Sequence, residues 1–252
     1  MLRPSRLWRV LATGFSFAVL SVGGFMLAIT AIPLASVSAP DPATRRLRAQ
    51  RIIRAGFRLY IWMLQRLGLI TFQVHGAADI AGIRGKIVIA NHPTLLDVVL
   101  LMSLLPNAQC LVKHQLWRHP LLGACVRAAG YIRNDLPAEE LLAACRETLE
   151  ADGNLVIFPE GTRSVPGQPR RLQRGFAHIA TLTVVDLSLL RISCSPITLT
   201  KGEAWYRVPD RTPHFSVEMV ETVAIEPFLR CGPRPLAARR LVSHVERRFA
   251  EA

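Results

Sequence analysis

The stretch Lys86-Ile-Val-Ile-Ala-Asn-His-Pro-Thr-Leu-Leu-Asp97 decides the fold class, because the pattern changes period inside it. Residues 86–90 form a short apolar run, as in a strand buried on both faces. Asn91-His92-Pro93 interrupts it, and Thr94 to Leu105 follows as an apolar helix. Pro93 disfavours helical geometry at His92 and suits the first helical position. The expectation is therefore a strand, a turn at His92, and a helix with Asp97 in its second turn. Five residues along a continuous helix would separate His92 and Asp97 by about 140° around the axis. The kink before Pro93 relaxes that, so the imidazole can fold back toward the carboxylate. A carboxylate on one ring nitrogen fixes the tautomer and stabilises the imidazolium formed when the other nitrogen takes a proton. Alone, the spacing also fits a surface histidine and an unrelated aspartate.

Outward from this stretch, strands and helices alternate. Pro137 to Ala151 is amphipathic, with Leu141, Leu142, Cys145 and Leu149 on one side. Asp152-Gly153 ends it, and residues 154–158 form the next strand. Gly175 to Val184 is a helix, Leu189 to Leu199 and Val217 to Ile225 are strands, and Pro235 to Phe249 is a final helix. This order predicts an α/β fold with a mostly parallel central sheet flanked by helices, where chemistry gathers at the C-terminal ends of strands. A second motif, Phe158-Pro159-Glu160-Gly161-Thr162-Arg163-Ser164, sits at such an end. Pro159 stops strand pairing and Gly161 permits a tight turn. Arg163 suits two-pronged phosphate binding, and Glu160 suits substrate hydroxyls or the ordering of that arginine. Arg170, Arg171 and Arg174 follow, making the loop electropositive; a solvated turn is the plainer alternative.

The chain has 252 residues, half of them hydrophobic and 19% charged, with a net charge of +13. That balance excludes a disordered chain, and the lack of several long apolar runs excludes a polytopic membrane protein. No charged residue occurs between Arg9 and Asp41. Ten arginines and one acid, Asp41, lie in residues 1–70, so most of the excess charge brackets an apolar segment. The chain divides into an N-terminal anchor and basic amphipathic helix, 1–70, and an α/β domain, 71–252. Three readings of the N-terminus stay open: a cleaved signal peptide, a single-pass anchor, and a bent helix pair in one leaflet. Gly23-Gly24 and Pro33 are the candidate break points. Residues 45–70 interleave Arg with Leu, Ile, Phe and Tyr at helical spacing, as in a membrane-surface helix or a domain helix with a solvated Arg face. The arginine excess after the run places the following domain in the cytoplasm, at the inner membrane. The five cysteines are odd in number and lack a Cys-x-x-Cys pair, which suits buried thiols rather than a disulfide or metal framework.

Asn-His-x4-Asp at 91–97, followed 68 residues after His92 by Glu160 in Phe-Pro-Glu-Gly-Thr-Arg-Ser, resembles the glycerolipid acyltransferase family that includes the 1-acylglycerol-3-phosphate acyltransferases. The likeness spans about residues 70–200, including Lys113 to Gly123 and Ser195-Pro196-Ile197. It implies fatty acyl transfer from acyl-CoA or acyl-carrier protein to a lysophospholipid hydroxyl, with membrane lipids as surroundings. The default acceptor is 1-acylglycerol-3-phosphate; another, such as lyso-ornithine lipid, is open. His92 is implied as general base, Asp97 as the group orienting it, and Glu160, Gly161, Thr162 and Arg163 as the substrate loop, without metal or cofactor. The family's middle block departs here: in Gly130-Tyr-Ile-Arg133 the arginine comes three positions after the glycine, and Leu136 holds the expected place. Arg133 is a candidate for an anionic headgroup.

Two other classes compete. A thioester hydrolase would use the same pair to activate water, although no Gly-x-Ser-x-Gly elbow occurs. A nucleic-acid binder requires basic patches with aromatics on the folded domain, whereas most of the excess charge flanks the apolar run.

Overall fold

The structure is a computed structural model describing residues 5–164 and 171–251. In chain order the elements are α1 (Arg6–Ile29), α2 (Ala31–Val37), α3 (Pro42–Arg66), β1 (Thr71–His75), α4 (Ala77–Gly82), β2 (Ile87–Ala90) and α5 (Asp97–Leu104). They continue as β3 (Ala108–Val112), α6 (His114–Trp117), α7 (Gly123–Ala128), β4 (Ile132–Arg133), α8 (Ala138–Glu150) and β5 (Asn154–Ile157). Last come α9 (Gly175–Thr183), β6 (Leu187–Ser195), β7 (His214–Val223), α10 (Glu226–Leu229) and α11 (Arg234–Ala250).

The seven strands form one sheet in the order β1-β7-β6-β2-β5-β3-β4. β6, β2, β5, β3 and β4 run parallel, while β7 pairs antiparallel with β6 and parallel with β1. Side chains alternate across the central strands. Val88, Ala90, Val156 and Leu190 join a core with residues of α1, α3, α5 and α7. Ile87, Ile89, Leu155 and Leu189 join a second core under α8, α9 and α11. With both faces covered, the central strands need continuous apolar runs, which is what made them legible. β2 lies between β5 and β6, so both sequence motifs leave the same rim from adjacent strands about 5 Å apart.

The N-terminal run is helical from Arg6 and passes unbroken through Gly23-Gly24. The bend falls instead at Thr30, whose backbone leaves the helical region between α1 and α2. Gly24 serves close packing: a Cβ there would meet Leu122 at 2.7 Å, and its carbonyl accepts from the Cys125 thiol at 2.9 Å. Pro33 lies inside α2, in its first turn, where a missing N–H is tolerated. Arg6–Val37 is long and apolar enough to cross a membrane by length and composition. Leu7, Leu11, Phe15, Val22, Met26 and Ile29 are exposed along α1. α3 is capped by Asp41, whose carboxylate accepts from the Thr44 N–H and hydroxyl at 2.9 and 2.7 Å. It starts three residues earlier than its arginine pattern suggested and buries Ile53, Tyr60, Ile61 and Leu64 in the core.

Two polar residues lock the far end of the sheet. Asn154 is fully buried; its amide nitrogen donates to the carbonyls of Ile83 and Pro106 at 2.8 and 2.9 Å. Its side-chain oxygen accepts from the Lys86 N–H at 3.3 Å. Asp186 accepts from Lys86 Nζ at 2.7 Å and from the Ile225 N–H at 3.1 Å. These bonds hold the Asp186 carboxyl below its ordinary value, with the Lys86 bond the largest cause.

Replacing Asn154 with Ala removes the Asn154 donor from the Pro106 carbonyl and leaves the Ile83 carbonyl to the Arg84 guanidinium alone, so denaturant unfolding is expected to show a loss of about 1–3 kcal/mol. Asp186→Asn is expected to lose about 0.5–1 kcal/mol at neutral pH, the lysine pair being partly exposed. Because the folded carboxyl is depressed, this stability is present above the unfolded value and fades as pH falls through the folded one. Stability curves of wild type and variant should therefore converge as pH falls through the depressed folded value; a gap that stays constant with pH would refute the ionic account.

Candidate active site

β2 ends at Ala90 and its last ladder position is completed by a side chain. Asn91 donates to the Ile192 carbonyl at 2.8 Å and accepts from the Ile192 N–H at 2.7 Å, tying the exit of β2 to β6. The next residue is His92. Its backbone N–H donates to Glu160 Oε1 at 3.2 Å, and its carbonyl accepts from the Ser164 N–H at 2.8 Å. The two sequence motifs thus meet through the main chain of His92.

His92 Nδ1 lies 2.8 Å from Asp97 Oδ2. The Asp97 side chain is fully buried, while 15% of the His92 side chain remains exposed. The helix begins later than the sequence suggested: α5 starts at Asp97, which occupies its first turn rather than its second. Residues 94–96 form a turn held by the carboxylate itself. Asp97 Oδ2 accepts from the Thr94 N–H at 2.7 Å, and Oδ1 from the Thr94 hydroxyl at 2.5 Å. The Thr94 hydroxyl oxygen in turn accepts from the Leu96 N–H at 3.2 Å. This local competition with helical bonding delays α5 and aims the carboxylate back at His92. Burial pushes the Asp97 carboxyl above its ordinary value, while the His92 and Thr94 donors act in the opposite direction. The Phe158 ring packs against the imidazole at 4.4 Å between centroids, tilted by 32°.

The loop after β5 is also built from the backbone upward. Gly161 has φ 67°, a left-handed conformation that favours glycine, and the Gln173 side-chain amide packs over it. Both Glu160 oxygens are engaged: Oε1 by His92, and Oε2 by the Ser164 hydroxyl. Glu160 is therefore a clamp between the motifs rather than a partner of Arg163. Arg163 donates from Nη1 to the carbonyls of Leu199 and Thr200, both at 3.0 Å, beyond the end of β6. That leaves the rest of its guanidinium for a ligand. Thr162 is half-buried beside it, and Arg171 and Arg174 are exposed; Arg170 lies outside the described residues.

Arg133 stands apart. It ends β4, three strand positions from β2 and so about 14 Å across the sheet. Its guanidinium is paired two-pronged with Asp135 at 3.0 and 2.9 Å. The structure thus gathers His92, Asp97, Glu160, Gly161, Thr162 and Arg163 and leaves Arg133 at the sheet edge. Sequence reasoning missed the Asn91 staple, the Thr94 and Ser164 hydroxyls, and the Phe158 ring. For Thr94 a signal existed, a hydroxyl residue three positions before an acid. Among the described residues no group of three or more His, Cys, Asp or Glu is placed to hold a metal ion.

A mostly parallel sheet thus places a carboxylate-held histidine at its rim beside an arginine loop on the neighbouring strand, an arrangement chemically able to take a proton next to an anion-binding group. Residues 71–199 match the acyltransferase family model, and the chain belongs to that family. It is 30% identical over 179 residues to a 1-acyl-sn-glycerol-3-phosphate acyltransferase of Cocos nucifera, covering 61% of this chain and 56% of that protein. It is 36% identical over 88 residues to the Helicobacter pylori protein of that name, covering 33% and 37% respectively. The chain thus spans about half the length, or less, of these relatives. The 1-acyl-sn-glycerophosphate acyltransferase of Thermotoga maritima shares the fold, with a TM-score of 0.65, 22% identity, and 98% of this chain and 95% of that chain covered.

Thr94→Val removes a donor from a buried carboxylate and an acceptor from Leu96. Its expected cost is about 1–3 kcal/mol in chemical denaturation. A variant as stable as wild type would show that the Thr94 contacts do not hold Asp97.

Proposed function

We propose that the chain is a membrane-associated O-acyltransferase. It moves a fatty acyl group from acyl-CoA or acyl-carrier protein to the hydroxyl of a lysophospholipid, with 1-acylglycerol-3-phosphate the default acceptor. The observation that carries this is the 2.8 Å contact between His92 Nδ1 and a fully buried Asp97, at the end of a central strand. With Nδ1 committed to the carboxylate, Nε2 is the nitrogen free to take the acceptor's proton as its oxygen attacks the thioester carbonyl. The carbon–sulfur bond then breaks, and the departing thiolate recovers the proton from His92. Asp97 stabilises the intervening imidazolium. The open side of Arg163, with Thr162 beside it, receives the acceptor phosphate, and Glu160 and Gly161 keep that loop in register with His92. Arg133 is a more distant anionic contact, available only if its Asp135 pair opens. The relatives' names and the exposed apolar face of α1 support the reading. The arginines flanking α1 and lining α3 suit anionic headgroups on the cytoplasmic side of the inner membrane.

The test supplies the full chain, in phosphatidylcholine vesicles, with acyl-CoA and lysophosphatidate. CoA release that requires the lysolipid is expected. His92→Ala should lower kcat by about 10²–10⁴, far beyond what the modest loss of stability from removing one of the three Asp97 donors could cause in a chain that still folds, and Arg163→Ala should raise KM for the phosphorylated acceptor. Equal CoA release without lysolipid would make the chain a thioester hydrolase instead.

A further inference from the structure

His92 follows the end of β2. At the opposite rim, where the parallel strands β2 and β3 begin, α3 and the turn between α5 and β3 border a cavity of about 220 Å³. Three guanidinium groups line it: Arg51 and Arg54, one turn apart on α3, and Arg84 from the segment before β2. No acidic residue lines the cavity, and among the described residues none of the three arginines has an ion pair. Arg54 donates from Nε to the Ser103 carbonyl at 3.2 Å and from Nη2 to the Leu104 carbonyl at 2.6 Å, which leaves Nη1. Arg84 donates from Nη1 to the Ala81 and Ile83 carbonyls at 2.8 and 2.7 Å, which leaves Nε and Nη2. Burial, and then the neighbouring charges of Arg58 and Arg84, hold the Arg54 guanidinium below its ordinary value. Two neutral groups line the same cavity. Gln50 Nε2 donates to the Ala129 carbonyl at 2.8 Å, so Oε1 is its free end. That oxygen and the Tyr131 hydroxyl are buried, and among the described residues neither has a hydrogen-bond partner. Gln50 and Tyr131 are 7% and 6% exposed, where an unbonded polar group is costly.

We propose that this cavity is a binding site for a phosphorylated polyol, with the phosphate on Arg51, Arg54 and Arg84 and a hydroxyl of the polyol on Gln50 Oε1. Three cations suit the charge of a phosphate monoester, about −1.5 to −2, better than the single charge of a carboxylate. Guanidinium groups also match phosphate oxygens in pairs. The Tyr131 hydroxyl, which burial keeps protonated, adds a neutral donor. Gln50 Oε1 can only accept, so the ligand carries a donor beside its phosphate. The volume is roughly seven times one water molecule's share, enough for such a group and too small for an acyl chain. A soluble ester and the headgroup of a membrane lipid share this chemistry. Neither sequence motif contributes a lining residue, so the site is separate from the catalytic rim and independent of the acyl-transfer reading. It joins α3 to the α/β domain, and a phosphate held there offsets the repulsion among the arginines of both.

The test reads binding with no acyl donor present, so its outcome is distinct from that of the acyl-transfer assay. The full chain is melted in phosphatidylcholine vesicles. One arm adds glycerol 2-phosphate; the other replaces part of the phosphatidylcholine with phosphatidylglycerol. Sodium chloride at matched ionic strength is the control for both. At least one arm should raise the melting temperature by several degrees over the control, and the arm that does so identifies the source. The matching probe without hydroxyls, ethyl phosphate or phosphatidylmethanol, should need at least tenfold more for the same shift. Arg84→Gln, at an exposed position, and Tyr131→Phe should each weaken the response at least tenfold, and Arg163→Ala should retain it. Arg51→Gln takes the place of Arg84→Gln if that variant does not fold. The proposal is overturned if neither arm exceeds the salt control, if the probes without hydroxyls act equally, or if the cavity variants keep the full response. It is equally overturned if Arg163→Ala abolishes the response, since the phosphate would then sit at the catalytic rim.

Discussion

Where β2 leaves the sheet, its backbone must satisfy its polar groups without water, because the strand is buried on both faces. The solution is a set of borrowed bonds. The Asn91 amide replaces a ladder rung toward β6, Glu160 accepts from the His92 N–H, and Ser164 donates to the His92 carbonyl. The rest of the site follows from this. His92 is fixed at its main chain before its ring meets anything, and the loop after β5 is fixed to the same residue. The two motifs are adjacent in space because their strands pair, but they are in register because they share these hydrogen bonds.

The same constraint explains why the pair is preorganised. A carboxylate with no exposure is costly unless hydrogen bonds satisfy it. Asp97 has three donors, two from Thr94 and one from His92. Thr94 bonds both carboxylate oxygens and so holds the group in one orientation independently of the imidazole. Preorganisation of this kind makes buried electrostatic contacts more effective than the same contacts in water. Phe158 closes one side of the ring and fixes its plane.

Much of this was legible in the sequence, for identifiable reasons. β2 and β5 are double-faced and read as apolar runs. α8 and α11 have one wet and one dry side, and their extents agree with the sequence patterns to within one residue. β1 was not legible because Thr71–His75 alternates exposed and half-buried positions and carries weak apolar signal. β3 reads Ala-Gln-Cys-Leu-Val, with a polar residue that is buried only because Thr148 hydrogen-bonds it. β4 has two residues, too few for any period. β6 starts and ends earlier than its pattern, since the apolar residues Ile197 and Leu199 belong to the segment beyond the strand. The late start of α5 was hidden because its cause is a side-chain bond: proline and apolar spacing argue for a helix from residue 94, and the Asp97 carboxylate overrides them. Glu160 by residue type suits substrate hydroxyls or the ordering of Arg163; the partners it has in the fold, the His92 N–H and the Ser164 hydroxyl, are ones that only folding assembles.

The segment beyond β6 ties the two motifs together from outside them. Leu199 adopts φ 53°, a left-handed conformation that a branched residue accepts only when its surroundings impose it. Its carbonyl has two donors, the Leu95 N–H at 3.1 Å and Arg163 Nη1 at 3.0 Å. One strained peptide thus joins the turn before α5, which carries Asp97, to the arginine of the second motif. Leu199 also lines the cleft beneath α1. Glycine would relieve the conformation but remove the wall; leucine keeps the wall and tolerates the strain. A residue that is unfavourable by local propensity thus sits where three elements have to agree, and the histidine, the arginine and the apolar cleft are positioned as one unit.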